Sequence, residues 1–312
     1  MASYAIKRLF WTLPVLFFIA LITFVLMHLV PGGPWDASGR PVSETLEAQL
    51  RVKYGLDQPL TEQFGTYMWN LLQGDLGISF SLQGRAVTSI LFDGLKVSAV
   101  LGLLAFLFAV TVGIPLGVLA ALKRNKFADY ASMSFATLCA STPSFIIGIL
   151  LIVVFAVWLD LLPVFGWEIW WWVIPEPQYA VLPTIALGAL PAAYLARVTR
   201  ASVLEVLDQD YVRTARAKGL RENVILIRHV VKNSLVPVLT VAGPLAAVLV
   251  TGSFIVETVF GIPGIGRQFV TAIFQRDYGL IMGTTLFYAT VVVFANFLVD
   301  VAYSAVDPRI RY

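Results

Sequence analysis

Six stretches of this chain are apolar enough, and long enough, to cross a lipid bilayer. They run over residues 9–30, 96–122, 131–161, 181–201, 236–256 and 280–302. A spanning helix takes about 20 predominantly apolar residues, each advancing it by about 1.5 Å. Backbone N–H and C=O groups find no water in hydrocarbon, so they bond within their own segment and helices are the default. Strands of a transmembrane β-barrel are about ten residues long and alternate in polarity; these runs are longer and uniformly apolar. The expectation is an all-α polytopic membrane protein, one domain over 1–312 with about six transmembrane helices. Composition agrees. Hydrophobic residues make up 58% of the chain and charged residues 13%, against about 45–50% and 25% in soluble domains. Lys7 and Arg8 precede the first run as they would in a secretory signal. That run exceeds a usual signal core, and Pro31-Gly32-Gly33-Pro34 follows it where a small-residue cleavage site would stand, so a retained first helix is expected.

Net charge is only +3 and says little about partners; the placement of the cations says more. With the N-terminus inside, 15 of the 22 lysines and arginines fall on inner segments and seven on outer ones. Cytoplasmic loops carry the excess of Lys and Arg, so both chain ends are expected in the cytoplasm. The segment 162–180 then lies outside. It holds no lysine or arginine, and Trp167, Trp170, Trp171 and Trp172 suit an interfacial aromatic belt. The one cysteine, Cys139, sits in an apolar run and reads as a small buried hydrophobe.

Two outer segments are more than linkers. The loop 31–93 contains two amphipathic stretches. Over 43–54, Leu46, Leu50 and Tyr54 recur every fourth residue, with Ser43 placed to cap the start and Gly55 the end. Over 61–73 the apolar positions are Phe64, Tyr67, Met68, Leu71 and Leu72, with Gly74 after the end. Both helices are expected on the outer surface. The segment 257–279 contains Gly261-Ile262-Pro263-Gly264-Ile265-Gly266. It reads either as a re-entrant element, which must be buried in protein or line water, or as an ordinary surface turn. Near the span ends, Asp160 and Glu257 read as interfacial groups or as lining of an outer mouth. Asp300, four residues after Asn296 on one helix face, reads as a packing group near the inner end of the last span.

The most informative stretch is 202–234, between the fourth and fifth runs. Inert connections between helices take a few residues; this one is long, charged and helix-forming. Asp210 is placed to cap a helix from Tyr211 to Lys218, with Gly219 at its C-terminal end. Ala215 and Gly219, four apart, leave a shallow notch into which a partner backbone fits. A second helix puts Arg221, Arg228 and Lys232 on one stripe, suited to lie against lipid headgroups.

Asp210-Tyr211-Val212-Arg213-Thr214-Ala215-Arg216-Ala217-Lys218-Gly219-Leu220 resembles the EAA loop of ABC importer permeases, in the form of the peptide/nickel branch. The resemblance extends to Pro31-Gly32-Gly33-Pro34, Gly74-Asp75-Leu76-Gly77, Phe260-Gly261-Ile262-Pro263-Gly264-Ile265-Gly266-Arg267 and the ending Asp307-Pro308-Arg309-Ile310-Arg311-Tyr312, so it covers nearly the whole chain in order. It is nearest to B-type permeases of dipeptide and oligopeptide importers, with their long first outer loop. Two departures stand out. The Glu-Ala-Ala positions are Arg213, Thr214 and Ala215, so only Ala215 and Gly219 keep the generic chemistry. Gly33 replaces the acid of the usual Pro-Gly-Asp-Pro. The resemblance implies the ABC type I importer permease fold in a bacterial or archaeal cytoplasmic (inner) membrane. It implies a second homologous permease, two cytoplasmic ATPases carrying ATP and Mg, and an extracytoplasmic substrate-binding protein. ATPase coupling would fall on Asp210, Tyr211, Val212, Ala215, Arg216, Gly219 and Leu220.

The residues also speak against other chemistries. No Gly-x-x-x-x-Gly-Lys-Ser/Thr loop for nucleotide occurs, His28 and His229 form no His-Glu-x-x-His zinc site, and no Gly-x-Ser-x-Gly elbow is present. The chain is therefore expected to hold no cofactor or metal, to perform no catalysis and to bind no nucleic acid. A secondary transporter or channel is the alternative class; it predicts paired broken helices or acids deep in the bilayer. Within the importer class, nickel chelates, glutathione and oligosaccharides compete with di- and oligopeptides as cargo.

Overall fold

The computed structural model describes residues 2–30, 49, 51–52, 55–82, 84–171 and 173–306. The expected helix over 43–54, the 31–34 motif and the 307–312 ending lie largely or wholly outside the described residues; so do the side chains of Asn296 and Asp300. Within them the chain is a helical bundle: α1 (Ala2–Leu29), α2 (Leu60–Leu72), α3 (Val87–Leu122), α4 (Phe127–Ser141), α5 (Ser144–Trp158), α6 (Pro177–Leu207), α7 (Asp210–Ala217), α8 (Glu222–Val250), α9 (Phe254–Val259), α10 (Ile265–Phe274) and α11 (Tyr278–Val306). Five of these helices are long and apolar enough to cross a membrane, and the pair α4–α5 makes a sixth crossing if it counts as one span.

That pair corrects the reading of 131–161 as one uninterrupted run. The two helices meet at 107°. Thr142 has ψ of 122°, the extended conformation favoured for a residue before proline, and Pro143 is the N-cap residue of α5. The end of α5, Ile152–Trp158, widens into π-type turns, and so does Ile225–Val231 in α8.

The centre of the bundle is the α3–α6 pair. Without a hydrophobic driving force between helices in lipid, close backbone packing holds them together, and small residues permit it. A Cβ on Gly117 would come within 2.5 Å of the Ala196 carbonyl. Ala105, Ala109, Ala186 and Ala196 complete the contact, all fully buried. The apolar face of α2 is not left on the surface: Phe64, Tyr67, Met68 and Leu71 pack on Phe24 and Met27 of α1 and on Met282 of α11.

The tryptophan-rich segment also differs from a simple belt. Ile169–Trp171 and Ile174–Pro175 pair as a short antiparallel ribbon. Trp171 is exposed, but Trp167 is buried against Val97, Leu101 and Phe260. Asp160 sits exposed just beyond α5.

The glycine motif at 261–266 is no surface turn. Phe260, Ile262 and Ile265 are all at most 2% exposed. The hairpin of α9 and α10 folds back onto α3, and Glu257 ties it there, wholly buried, against the expectation of an interfacial acid. Ser98 of α3 donates to Glu257 Oε1 at 2.7 Å while accepting from the Ile265 N–H at 2.9 Å. The Ser253 and Arg267 N–H groups donate to the two carboxylate oxygens at 3.2 Å. At the neighbouring loop, Asp277 accepts from Ser79 and Ser81 and from the Leu280 N–H at the start of α11. This joins the segment after α2 to the last long helix.

Candidate functional site

The stretch 202–234 divides into the last turns of α6, the short α7, and the first turns of α8. The connection outside long helices is thus shorter than expected, because α8 runs without a break from Glu222 to Val250. α7 begins at Asp210 with Gln209 as its flanking residue, so Asp210 is a first-turn acid and not a cap. Its charge there is still favourable to the positive end of the helix dipole.

α7 is seated on the ends of three long helices. Val212, fully buried, and Ala215, 6% exposed, enter a cluster with Ala121 of α3, Val203 of α6 and Ile225 and Val230 of α8. Burying one valine contributes roughly 1.5–3 kcal/mol. Polar contacts fix the edges. Asn233 Nδ2 donates to Tyr211 Oη at 3.0 Å, and Arg216 Nε donates to Glu222 Oε1 at 3.0 Å. The exposed Arg213–Asp210 pair at 3.6 Å adds little.

The C-terminal end is a Schellman motif. The Gly219 N–H donates to the Arg216 carbonyl at 2.9 Å and the Leu220 N–H to the Ala215 carbonyl at 3.3 Å. Gly219 takes φ of +75°, and a Cβ there would meet nothing within 4 Å. The expected notch therefore divides: Ala215 faces its own chain, while Gly219 opens outward. The outward surface of α7 and the turn after it includes Tyr211, Arg213, Thr214, Arg216, Lys218, Gly219 and Leu220, all exposed. Arg221, Arg228 and Lys232 are exposed as well.

One charged pair beside this end went unmarked in the sequence. Arg200 of α6 donates through Nε and Nη2 to both oxygens of Asp129 in α4, at 2.7 and 2.8 Å. Asp129 also accepts from the Asn125 N–H at 3.0 Å, closing the tight turn between α3 and α4. The signal available was an arginine at the end of an apolar run with an acid just before another.

α7 is thus a short outward-facing helix seated across the ends of α3, α6 and α8. Two family models cover most of the chain. The binding-protein-dependent transport system inner membrane component matches residues 113–312, and the N-terminal model of such membrane components matches residues 1–101. The chain belongs to this family. Among its relatives, the dipeptide transport system permease protein DppB of Bacillus subtilis is 46% identical over all of this chain and 98% of the relative. The oligopeptide transport system permease protein OppB of Haemophilus influenzae is 38% identical over the full length of both. Among solved structures, the inward-facing MetNI methionine ABC transporter aligns with a TM-score of 0.56 at 19% identity, over 70% of this chain and 97% of that one. An amino acid ABC transporter crystallised with histidines aligns at 0.50 and 18%, over 69% and 92%. These two show the fold alone, that of ABC transporter membrane subunits. The family and the full-length relatives make the chain an importer permease, multi-pass in the inner membrane, as expected from the EAA-like segment.

Proposed function

We propose that this family member is a permease subunit of an ATP-driven importer of di- and oligopeptides, forming half of the translocation path. The full-length likeness to peptide permeases carries the reading. On this reading a second homologous permease completes the path, an extracytoplasmic binding protein delivers the cargo, and two cytoplasmic ATPases supply ATP and Mg. The chain itself holds no cofactor. The ATPases dock on α7, through Tyr211, Arg216, Gly219 and Leu220, with Val212 and Ala215 seating the helix from beneath and Asp210 starting it. The exposed Arg221, Arg228 and Lys232 suit anionic headgroups beside the docking site.

The reading places α7 and both chain ends in the cytoplasm. In a Cys139→Ser background, single cysteines at Arg124 and Asp57, both exposed, are expected to react with impermeant thiol reagents from opposite sides. Reaction of the Asp57 position only from the cytoplasm would invert the topology. The purified chain alone is expected to hydrolyse no ATP, with activity appearing only beside its ATPases; turnover by the isolated chain would contradict the division of labour. Mass spectrometry of ligand retained by the partner binding protein separates peptides from nickel chelate, glutathione or oligosaccharide.

A further inference from the structure

The broken span α4–α5 carries a polar face that nothing in its own chain uses. On α4, Asp129, Ser132 and Ala136 turn inward. Phe135, exposed, lies on an apolar outer side. Between them Tyr130, Ser134, Thr137 and Ser141 recur at spacings of four, three and four, and all four are exposed. That spacing puts them on one helix face. Thr137 satisfies its hydroxyl on the Met133 carbonyl of its own helix. Ser134 and Ser141 make no side-chain hydrogen bond to the described residues.

The face does not end on α4. Tyr130, Ser134 and Thr137 line a cavity of about 570 Å³ together with Asn125, Asp129 and Arg200, and Met133 and Leu138 are its apolar part. Arg200, doubly bonded to Asp129, forms its charged floor. Next to Arg200 on α6, Leu190, Tyr194, Arg197 and Ala201 recur at spacings of four, three and four and are exposed. Arg197 has no carboxylate within 4 Å among the described residues.

A hydroxyl without a partner costs several kcal/mol in hydrocarbon. A surface turned to lipid tails would be apolar throughout, as the Phe135 side of α4 is. We infer that the Tyr130–Ser134–Thr137–Ser141 face of α4, continued by Tyr194 and Arg197 of α6 over the Asp129–Arg200 pair, is the wall of the water-filled cargo path. Its hydroxyls and its free guanidinium suit a cargo rich in carbonyl oxygens and ending in a carboxylate. This rests on the peptide-importer reading for the cargo, but the aqueous wall stands on the geometry.

The test uses the whole complex in membranes, with Cys139→Ser as background. Single variants Ser134→Cys, Thr137→Cys and Ser141→Cys are compared with Phe135→Cys, treating each with an impermeant charged methanethiosulfonate. The thiolate is the reacting form, and each unit by which an apolar setting raises a thiol pKa removes about tenfold of it. At least two of the three hydroxyl positions are expected to react about tenfold or more faster than Phe135→Cys. Their adducts are expected to abolish ATP-driven uptake, while the Phe135→Cys complex keeps it. Reaction no faster than at Phe135→Cys, or full modification with uptake unchanged, overturns the proposal. Failure of the peptide reading looks different: the unmodified complex would take up no peptide, while the hydroxyl positions would still react from water.

Discussion

Gly219→Trp is expected to leave the protein in the membrane and remove transport. The added side chain starts into open space, since a Cβ at this position has nothing within 4 Å. The substitution does place a side chain on backbone at φ of +75°, a conformation that costs an ordinary residue about 1–2 kcal/mol. The Schellman bonds from Gly219 and Leu220 to Arg216 and Ala215 hold that turn, so the end of α7 frays before the bundle does. Outward, the indole fills the space where a docking partner meets the helix. Normal amounts of inserted protein are expected, with co-purification of the ATPases lost, or ATP hydrolysis no longer stimulated by loaded binding protein. Gly219→Ala separates the two causes: it carries the same backbone cost with almost no bulk, and is expected to keep part of the activity. Wild-type uptake by an assembled Gly219→Trp complex would remove α7 from the coupling interface.

Gly264→Ala is expected to have the opposite profile, loss of folded protein before any question of coupling. A Cβ at this position falls on the Glu257 carboxylate and the Ser98 hydroxyl. Neither is the loose end of a mobile side chain, because Ser98 donates to Glu257 and each also accepts from backbone N–H groups. Overpacking a filled site costs about 1–3 kcal/mol, and each buried group left unsatisfied adds about 1–3 kcal/mol. Yield in the membrane and detergent-extracted thermal stability should both fall. Glu257→Gln relieves no crowding and turns one acceptor into an NH₂ facing N–H donors, so it should destabilise as well. A Gly264→Ala protein as stable as the parent would mean that the hairpin is not pinned to α3.

The long helices were legible because hydropathy sums over some 20 residues, and no single neighbour overturns such a sum. The break inside 131–161 was legible only in part. Its 31 residues would make a straight helix of about 46 Å, well beyond a hydrocarbon core of about 30 Å, and Pro143 marked the place. The bend itself depends on how α5 packs on α6 and α9, which no local pattern records. Glu257 shows the same limit more sharply. The glycines around it announced a turn, but its hydrogen-bond partner Ser98 lies 159 residues away, so burial of the acid was invisible to any window of sequence.

On α7 the misplacement has a local cause. Ala215 was paired with Gly219 because both are small and four apart. Val212 and Ala215, three apart, share a face too, and the valine decides which way that face turns: in, toward Val203, Ile225 and Val230. Gly219 then falls outside the helix proper, where the chain has already reversed. The Asp129–Arg200 pair escaped notice because each charge lay at the edge of an apolar run, where a snorkelling side chain is ordinary.

The decisive measurement is uptake of a labelled dipeptide into proteoliposomes holding this chain, the second permease and the two ATPases. Loaded binding protein stands on the outer face and ATP is trapped inside. Accumulation is expected to depend on ATP, on the binding protein and on the ATPases together. Accumulation driven by an ion gradient, with no ATP and no ATPase subunits present, would make this chain a secondary transporter and contradict the account.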